Sequence, residues 1–100
     1  MSVTFRGSGD IALAADVAGD WGGPPVLLLH GGGQTRHSWG GTTSQLAEAG
    51  FLVVSLDLRG HGDSEWEPAG DYAMSRFADD VRAVLADLGR PAALVGASLG

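Results

Sequence analysis

Ser98 stands in Gly96-Ala97-Ser98-Leu99-Gly100, directly after a short apolar stretch that begins behind Pro91. A serine between two glycines at this spacing suits a turn from strand into helix so sharp that the hydroxyl is pushed outward from a strained backbone. Glycines two residues to either side remove the side chains that such a turn would crowd. The chemistry this serves is acyl transfer. It needs an exposed hydroxyl, a base to take its proton, an acid to orient the base, and N–H donors for the developing oxyanion. With 17 glycines in 100 residues, composition alone produces such a pattern readily, so the motif carries weight only if its surroundings form a site.

Two further groups of residues have the types for a site. His30-Gly31-Gly32-Gly33 offers bare backbone that can approach a substrate closely, so one of its glycine N–H groups, with that of Leu99, is a candidate oxyanion donor. Neither G-x-G-x-x-G nor G-x-x-x-x-G-K-[ST] can be laid over it, which argues against a phosphate-binding loop. His30 is expected to hold its loop through a hydrogen bond, with a direct part in the site as its other role. Asp57 begins the run Asp57-Leu58-Arg59-Gly60-His61-Gly62-Asp63-Ser64. Its type admits a metal ligand or an acid, but capping and orienting the Arg59–Ser64 turn is the expected role. Arg59 and Asp63 are expected to pair with each other or with backbone inside that loop. Trp39 is expected to pack at a helix start, and Trp66 to be exposed or packed on its loop rather than to line a pocket.

The elements that would position these residues follow from periodicity. Val3 and Phe5, then Ile11, Leu13, Ala15 and Val17, alternate with small or polar residues. Ser8-Gly9-Asp10 supplies turn chemistry, so residues 2–18 read as an antiparallel hairpin. Val26 to Leu29, Phe51 to Leu56 and Ala92 to Val95 are apolar runs too short for helices, and read as strands buried on both faces. Between the first two, Ser38 is the expected N-cap of a helix through about Ala49, with Trp39, Leu46 and Thr43 turned inward and Gly50 as its stop. Between the last two, Ser75 is the expected cap of a helix whose stripe is Phe77, Val81, Val84, Leu85 and Leu88, with Arg76, Asp79, Asp80, Arg82 and Asp87 mostly off it. Gly89 closes that helix and Pro91 prevents its continuation. Strand–helix–strand–helix–strand at these lengths implies a parallel sheet with right-handed crossovers. In such sheets ligands bind at the carboxyl ends of the strands, where Gly31–Gly33, Asp57 and Ser98 all fall.

Taken together, the three strand-end motifs in this order resemble the amino-terminal part of an α/β-hydrolase fold, and the resemblance runs over all 100 residues. It implies an antiparallel hairpin followed by a βαβαβ parallel sheet ending at the nucleophile elbow. It also implies that Ser98 is the nucleophile, that Leu99 N–H is one oxyanion donor, and that Gly32 N–H is the second, with Gly33 in reserve. In this family the acid and the histidine of the triad follow the serine along the chain. Neither follows Ser98 here, and His30, His37 and His61 all precede it. The chain is therefore expected to be a partial domain, 1–100, lacking the later strands and any lid, and inactive by itself. Relatives that open epoxides or haloalkanes place Asp at the elbow, so Ser98 favours an ester, thioester, lactone or activated C–C bond of a small molecule. The alternatives are a non-catalytic small-molecule-binding or interaction domain on the same fold, and a cofactor-free perhydrolase or haloperoxidase.

Composition bounds the partners. Twelve acidic against six basic side chains, a net charge of −6, disfavour nucleic acid and anionic membrane surfaces. The absence of cysteine excludes disulfides and thiolate metal sites, and the chemistry above asks for no cofactor and no metal. The first residues lack the basic and apolar regions of a signal peptide, and no apolar run is long enough to span a membrane, so the expected location is cytoplasmic. Oligomeric state has no signal in the sequence.

Overall fold

Val26 to Leu29 lacks the alternation of a half-exposed strand, so both of its faces need cover. In the computed structural model, which describes residues 1–70 and 72–97, it falls in β3 (Pro25–Leu29), between β4 (Leu52–Leu56) and β5 (Ala93–Gly96). With β1 (Ser2–Arg6) and β2 (Ala12–Gly19) these form one sheet in the order β1-β2-β4-β3-β5. β1 and β2 are the expected antiparallel hairpin, with Phe5 opposite Leu13, joined through a short 3₁₀ turn at Ser8–Asp10. β2 continues antiparallel onto β4, and β3 runs parallel to both β4 and β5. The mixed sheet and its parallel βαβαβ part are those the resemblance implies. From Ser98 onward the expected elbow lies outside the described residues.

Two helices cover opposite faces. α1 (Gly40–Glu48) and the turn before it bring Trp39, Leu46 and Ala47 against Val26, Leu28 and Val53. α2 (Met74–Leu88) lays Phe77, Val81, Val84, Leu85 and Leu88 on Leu27, Val54, Leu56 and the inner face of the hairpin. Alternate residues of β3 and β4 thus meet different helices, which is why neither strand shows polar alternation. Opposite faces are what crossovers of one hand require when the chain steps from β3 out to β4 and then back past β3 to β5. The connections leaving β3 and β4 therefore diverge to different sides, and a crevice opens between the carboxyl ends of these two neighbours.

Both helix starts differ from the expectation. Ser38 does not cap α1. It lies inside a 3₁₀ segment, Arg36–Trp39, capped by Thr35, whose Oγ1 accepts His37 N–H at 3.3 Å. Gly40, at φ 30° and ψ −110°, separates that segment from α1. α2 begins at Met74, with Ala73 extended before it and no side-chain cap, so Ser75 sits inside the first turn. A side-chain cap contributes about 1 kcal/mol, whereas burying a Phe or Val side chain contributes about 1.5–3 kcal/mol. Docking of Phe77 and Val81 decides where α2 starts. At its other end Gly89 takes the left-handed conformation, φ 70°, and donates to Leu85 O at 3.1 Å, as expected.

Asp80 and Arg59 are the larger correction. Asp80 is not on a polar face but buried, and Arg59 does not pair with Asp63. Arg59 Nε and Nη2 donate to the two Asp80 carboxylate oxygens at 2.7 and 2.8 Å. Asp80 Oδ1 also accepts Ser8 N–H at 2.8 Å, and Ser8 O accepts from Arg59 Nη2 at 3.2 Å. One bidentate pair thereby ties α2, the loop after β4 and the β1–β2 turn together.

Asp80→Ala breaks this buried pair, and is expected to cost about 3–5 kcal/mol in urea unfolding. Asp79→Ala, one residue away among exposed arginines, is expected to stay within about 0.5 kcal/mol. At the sheet edge, β5 exposes Leu94 and Val95, 53% and 40%. An unpaired apolar edge of this kind recruits other chains. The 100-residue polypeptide alone is expected to self-associate in analytical ultracentrifugation, less so with Val95→Lys; a monomer that melts cooperatively would contradict this.

Candidate active-site edge

The site is built where β3, β4 and β5 end. Gly96 lies beside Leu29 in the parallel register, and Ala97 N–H donates to Leu29 O at 3.0 Å. The chain that carries Ser98 thus leaves the sheet level with His30. Ser98 and Leu99 themselves lie outside the described residues.

After β3, Gln34 N–H donates to Gly31 O at 3.1 Å, and Gly33 sits at φ 77°. A positive φ at the third position alone makes Gly31–Gln34 a type II turn, which is why a glycine stands at 33. Gly31 N–H donates to Gln34 Oε1 at 3.0 Å, and Gly33 N–H to His61 Nε2 at 3.2 Å. Among the described residues Gly32 N–H has no partner, and Gly32 is exposed. Of the two glycines named as oxyanion donors, Gly32 has the free amide and Gly33 has its amide engaged.

After β4, Asp57 is fully buried. Its Oδ1 accepts Arg36 N–H at 2.6 Å, and its Oδ2 accepts Asp63 N–H at 2.9 Å and the Arg36 guanidinium. Burial by itself would push this carboxyl up. The two backbone N–H groups and Arg36 outweigh it and hold the group below its ordinary value. Asp57 thus clamps the far end of its own loop at Asp63, and anchors the crossover that follows the Gly31–Gln34 turn. Gly62, at φ 51°, lies so close to the Asp57 carboxylate that no side chain fits there.

Arg36 carries no expectation from the sequence, yet it is 8% exposed and faces three carboxylates. Nη1 reaches Asp57 and, at 3.0 Å, Asp63. Nε lies 3.2 Å from Asp16 Oδ2, close but not aligned as a hydrogen bond. Burial pulls against its charge, but the carboxylates of Asp63, Asp57 and Asp16 more than offset that and raise its pKa. Asp63 therefore pairs with Arg36, where Arg59 was expected. A signal was present: Arg36 is the one Lys or Arg between Arg6 and Arg59, and a buried Asp57 needs a cation.

His30 is buried. Its Nε2 accepts Leu58 N–H at 3.0 Å, so Nδ1 carries the proton and donates to Gly31 O at 2.8 Å. His61 mirrors it from the other loop, with Nε2 accepting Gly33 N–H and Nδ1 donating to Arg59 O at 2.9 Å. The rings lie 4.9 Å apart between centroids, tilted by 51°. Each loop thus receives an imidazole from the other. Burial, and then the neighbouring His61, hold the His30 pKa below 6.5 against the Gly31 carbonyl and Asp57. Trp66 is 72% exposed and lines nothing here. Among the described residues no group of three His, Cys, Asp or Glu side chains is placed to hold a metal ion, and no helix is long and apolar enough to cross a membrane.

The family described as alpha/beta hydrolase fold matches residues 24–100. The chain belongs to this family. It is 41% identical over 83 residues to an esterase of Mycobacterium tuberculosis, covering 80% of this chain and 27% of that protein. It is 39% identical over 83 residues to protein phosphatase methylesterase 1 of Mus musculus, covering 78% and 22%. The crystal structure of an epoxide hydrolase from Vigna radiata superposes with a TM-score of 0.89 at 30% identity, covering 98% of this chain and 32% of that one. The chain thus spans under a third of the length of each of these three proteins, and corresponds to the amino-terminal part of the fold.

The two clamps titrate in separate ranges. His30 is held neutral, so its contribution to stability is complete above pH 6.5 and is lost as the pH falls through its lower folded value. Asp57 is held ionised, so its contribution is complete above pH 3.8 and is lost on further acidification. Urea midpoints measured against pH are expected to fall in these two steps. Asp57→Asn should remove the lower step only.

Proposed function

We propose that the protein is a serine hydrolase, with Ser98 as nucleophile, acting on an ester, thioester, lactone or activated C–C bond of a small molecule. Ser98 Oγ attacks the carbonyl carbon while its proton passes to a histidine supplied by chain beyond residue 100. The carbonyl oxygen becomes an oxyanion held by Gly32 N–H and Leu99 N–H. Collapse of the tetrahedral intermediate expels the leaving group with that proton, and water then releases the acyl group from Ser98. The observation that carries this reading is the Gly32 amide, without a partner among the described residues, after the strand that pairs with β5, whose last residue Gly96 stands two before Ser98 in the sequence. An exposed amide that its own turn leaves unpaired is open to a substrate oxygen.

The esterase and methylesterase among the relatives support ester chemistry. The likeness to an epoxide hydrolase concerns the scaffold, since by the family pattern epoxide opening goes with Asp at the elbow, and this chain has Ser98.

Fluorophosphonate labelling of the full-length protein tests the nucleophile. Labelling is expected, and is expected to vanish with Ser98→Ala; labelling that survives would sink the assignment, and none in the wild type would favour a binding domain on the same fold. Gly32→Pro tests the donor. Proline is favoured at the second position of a type II turn, so the turn should survive while the N–H is removed, and kcat on p-nitrophenyl acetate is expected to fall about 10²–10³-fold.

A further inference from the structure

The peptide joining Gly31 to Gly32 carries the candidate donor, Gly32 N–H, at one end and Gly31 O at the other. A trans peptide is planar, so its N–H and C=O point in opposite directions and turn together. Whatever holds Gly31 O therefore aims Gly32 N–H. Two donors reach that oxygen, Gln34 N–H at 3.1 Å and His30 Nδ1 at 2.8 Å. Between them they take up the two lone pairs of the carbonyl.

The two donors differ in what they are fixed to. Gln34 belongs to the turn and moves with it, and with glycine at 31, 32 and 33 side-chain sterics do little to hold that turn. His30 is fixed to the sheet. It follows Leu29 of β3, its side chain is fully buried, and its Nε2 accepts Leu58 N–H from the loop after β4 at 3.0 Å. The donors also run in one direction. Leu58 N–H donates to Nε2, Nδ1–H donates to Gly31 O, and Gly32 N–H has no partner among the described residues. Donation to Nε2 draws electron density from the ring and strengthens Nδ1–H as a donor. Donation to Gly31 O does the same for Gly32 N–H across the peptide, because successive hydrogen bonds polarise one another in a low-dielectric site.

We infer that His30 is a positioning residue for acyl transfer: anchored by Leu58 N–H, it fixes and polarises the Gly31–Gly32 peptide through Gly31 O and so aims Gly32 N–H at the substrate oxygen. It touches no reacting atom. A donor contributes to catalysis in so far as its orientation is settled before the reaction. The inference rests on the reading of Gly32 N–H as an oxyanion donor, and the test separates the two.

In the full-length protein, uniformly ¹⁵N-labelled, the His30 ring is expected to carry its proton on Nδ1, with a ¹⁵N–¹⁵N coupling between the Leu58 amide and Nε2. This readout needs no turnover. Two variants then divide the ring's bonds. His30→Gln keeps an acceptor for Leu58 N–H in Oε1 and has no donor in the place of Nδ1. His30→Asn has Nδ2 in the place of Nδ1 and no acceptor in the place of Nε2. With p-nitrophenyl acetate as substrate, His30→Gln is expected to lower kcat roughly tenfold to hundredfold and to leave KM within about twofold. His30→Asn is expected to recover most of that loss, although it leaves the buried Leu58 amide unsatisfied and lowers the urea midpoint. A role confined to stability predicts the reverse order. A kcat that tracks the urea midpoint, a His30→Gln enzyme as fast as the wild type, or a loss seen in KM instead would overturn the inference. So would a ring protonated on Nε2, a result that stands even if neither variant folds. A wild-type protein with no turnover would remove the hydrolase reading and the catalytic role inferred here, and the tautomer would then decide whether His30 holds Gly31 O.

Discussion

A carboxylate taken fully out of water must be matched by charge and hydrogen bonds or it gives up its ionisation. Asp57 meets that condition through Arg36 and two backbone N–H groups, and the rest of the edge depends on how it does so. The Arg36 amide belongs to the crossover after β3, and the Asp63 amide to the far end of the loop after β4. To neutralise one side chain, the chain must bring both connections to the same point. The carboxyl ends of two parallel strands are thereby held at a fixed distance, with Asp16 from β2 and Asp63 closing around the same guanidinium.

On that anchored base the two histidines act as cross-braces. Each takes an amide proton from the opposite loop with Nε2 and returns its own proton to a carbonyl through Nδ1. The exchange satisfies the Leu58 and Gly33 amides, and among the described residues Gly32 N–H is left without a partner. A second buried ion pair, Arg59 with Asp80, does for the opposite face what Arg36 with Asp57 does here, joining α2 and the hairpin turn to the same loop. Loop residues 57–64 are consequently fixed from both sides of the sheet. That rigidity is what a preorganised donor requires.

The division of labour between scaffold and chemistry explains why one architecture is shared by proteins described as esterases and as an epoxide hydrolase. The sheet order and the glycine turn after β3 belong to that shared scaffold. In the reading proposed above, Ser98 sets the chemistry done on that scaffold.

Sequence by itself determined the elements and their order. Period-two alternation in the hairpin, unbroken apolar runs in β3 and β4, and the Phe77–Leu88 stripe are each set by which faces must be buried, so composition along the chain reports them directly. Gly89 was legible for a related reason, since backbone conformations at positive φ admit few residue types. The partners of charged side chains were not legible. Asp80 was expected off the apolar stripe of its helix, Arg36 carried no expectation, and Arg59 and Asp63 were expected to pair with each other or with backbone in their loop. Ion pairing depends on distances between segments far apart in sequence, and no local period encodes it. Only the tertiary structure decided that α2 turns Asp80 inward onto Arg59, that Arg36 serves Asp57 and Asp63 together, and that His61 spends its lone pair on Gly33 and leaves Gly32 free.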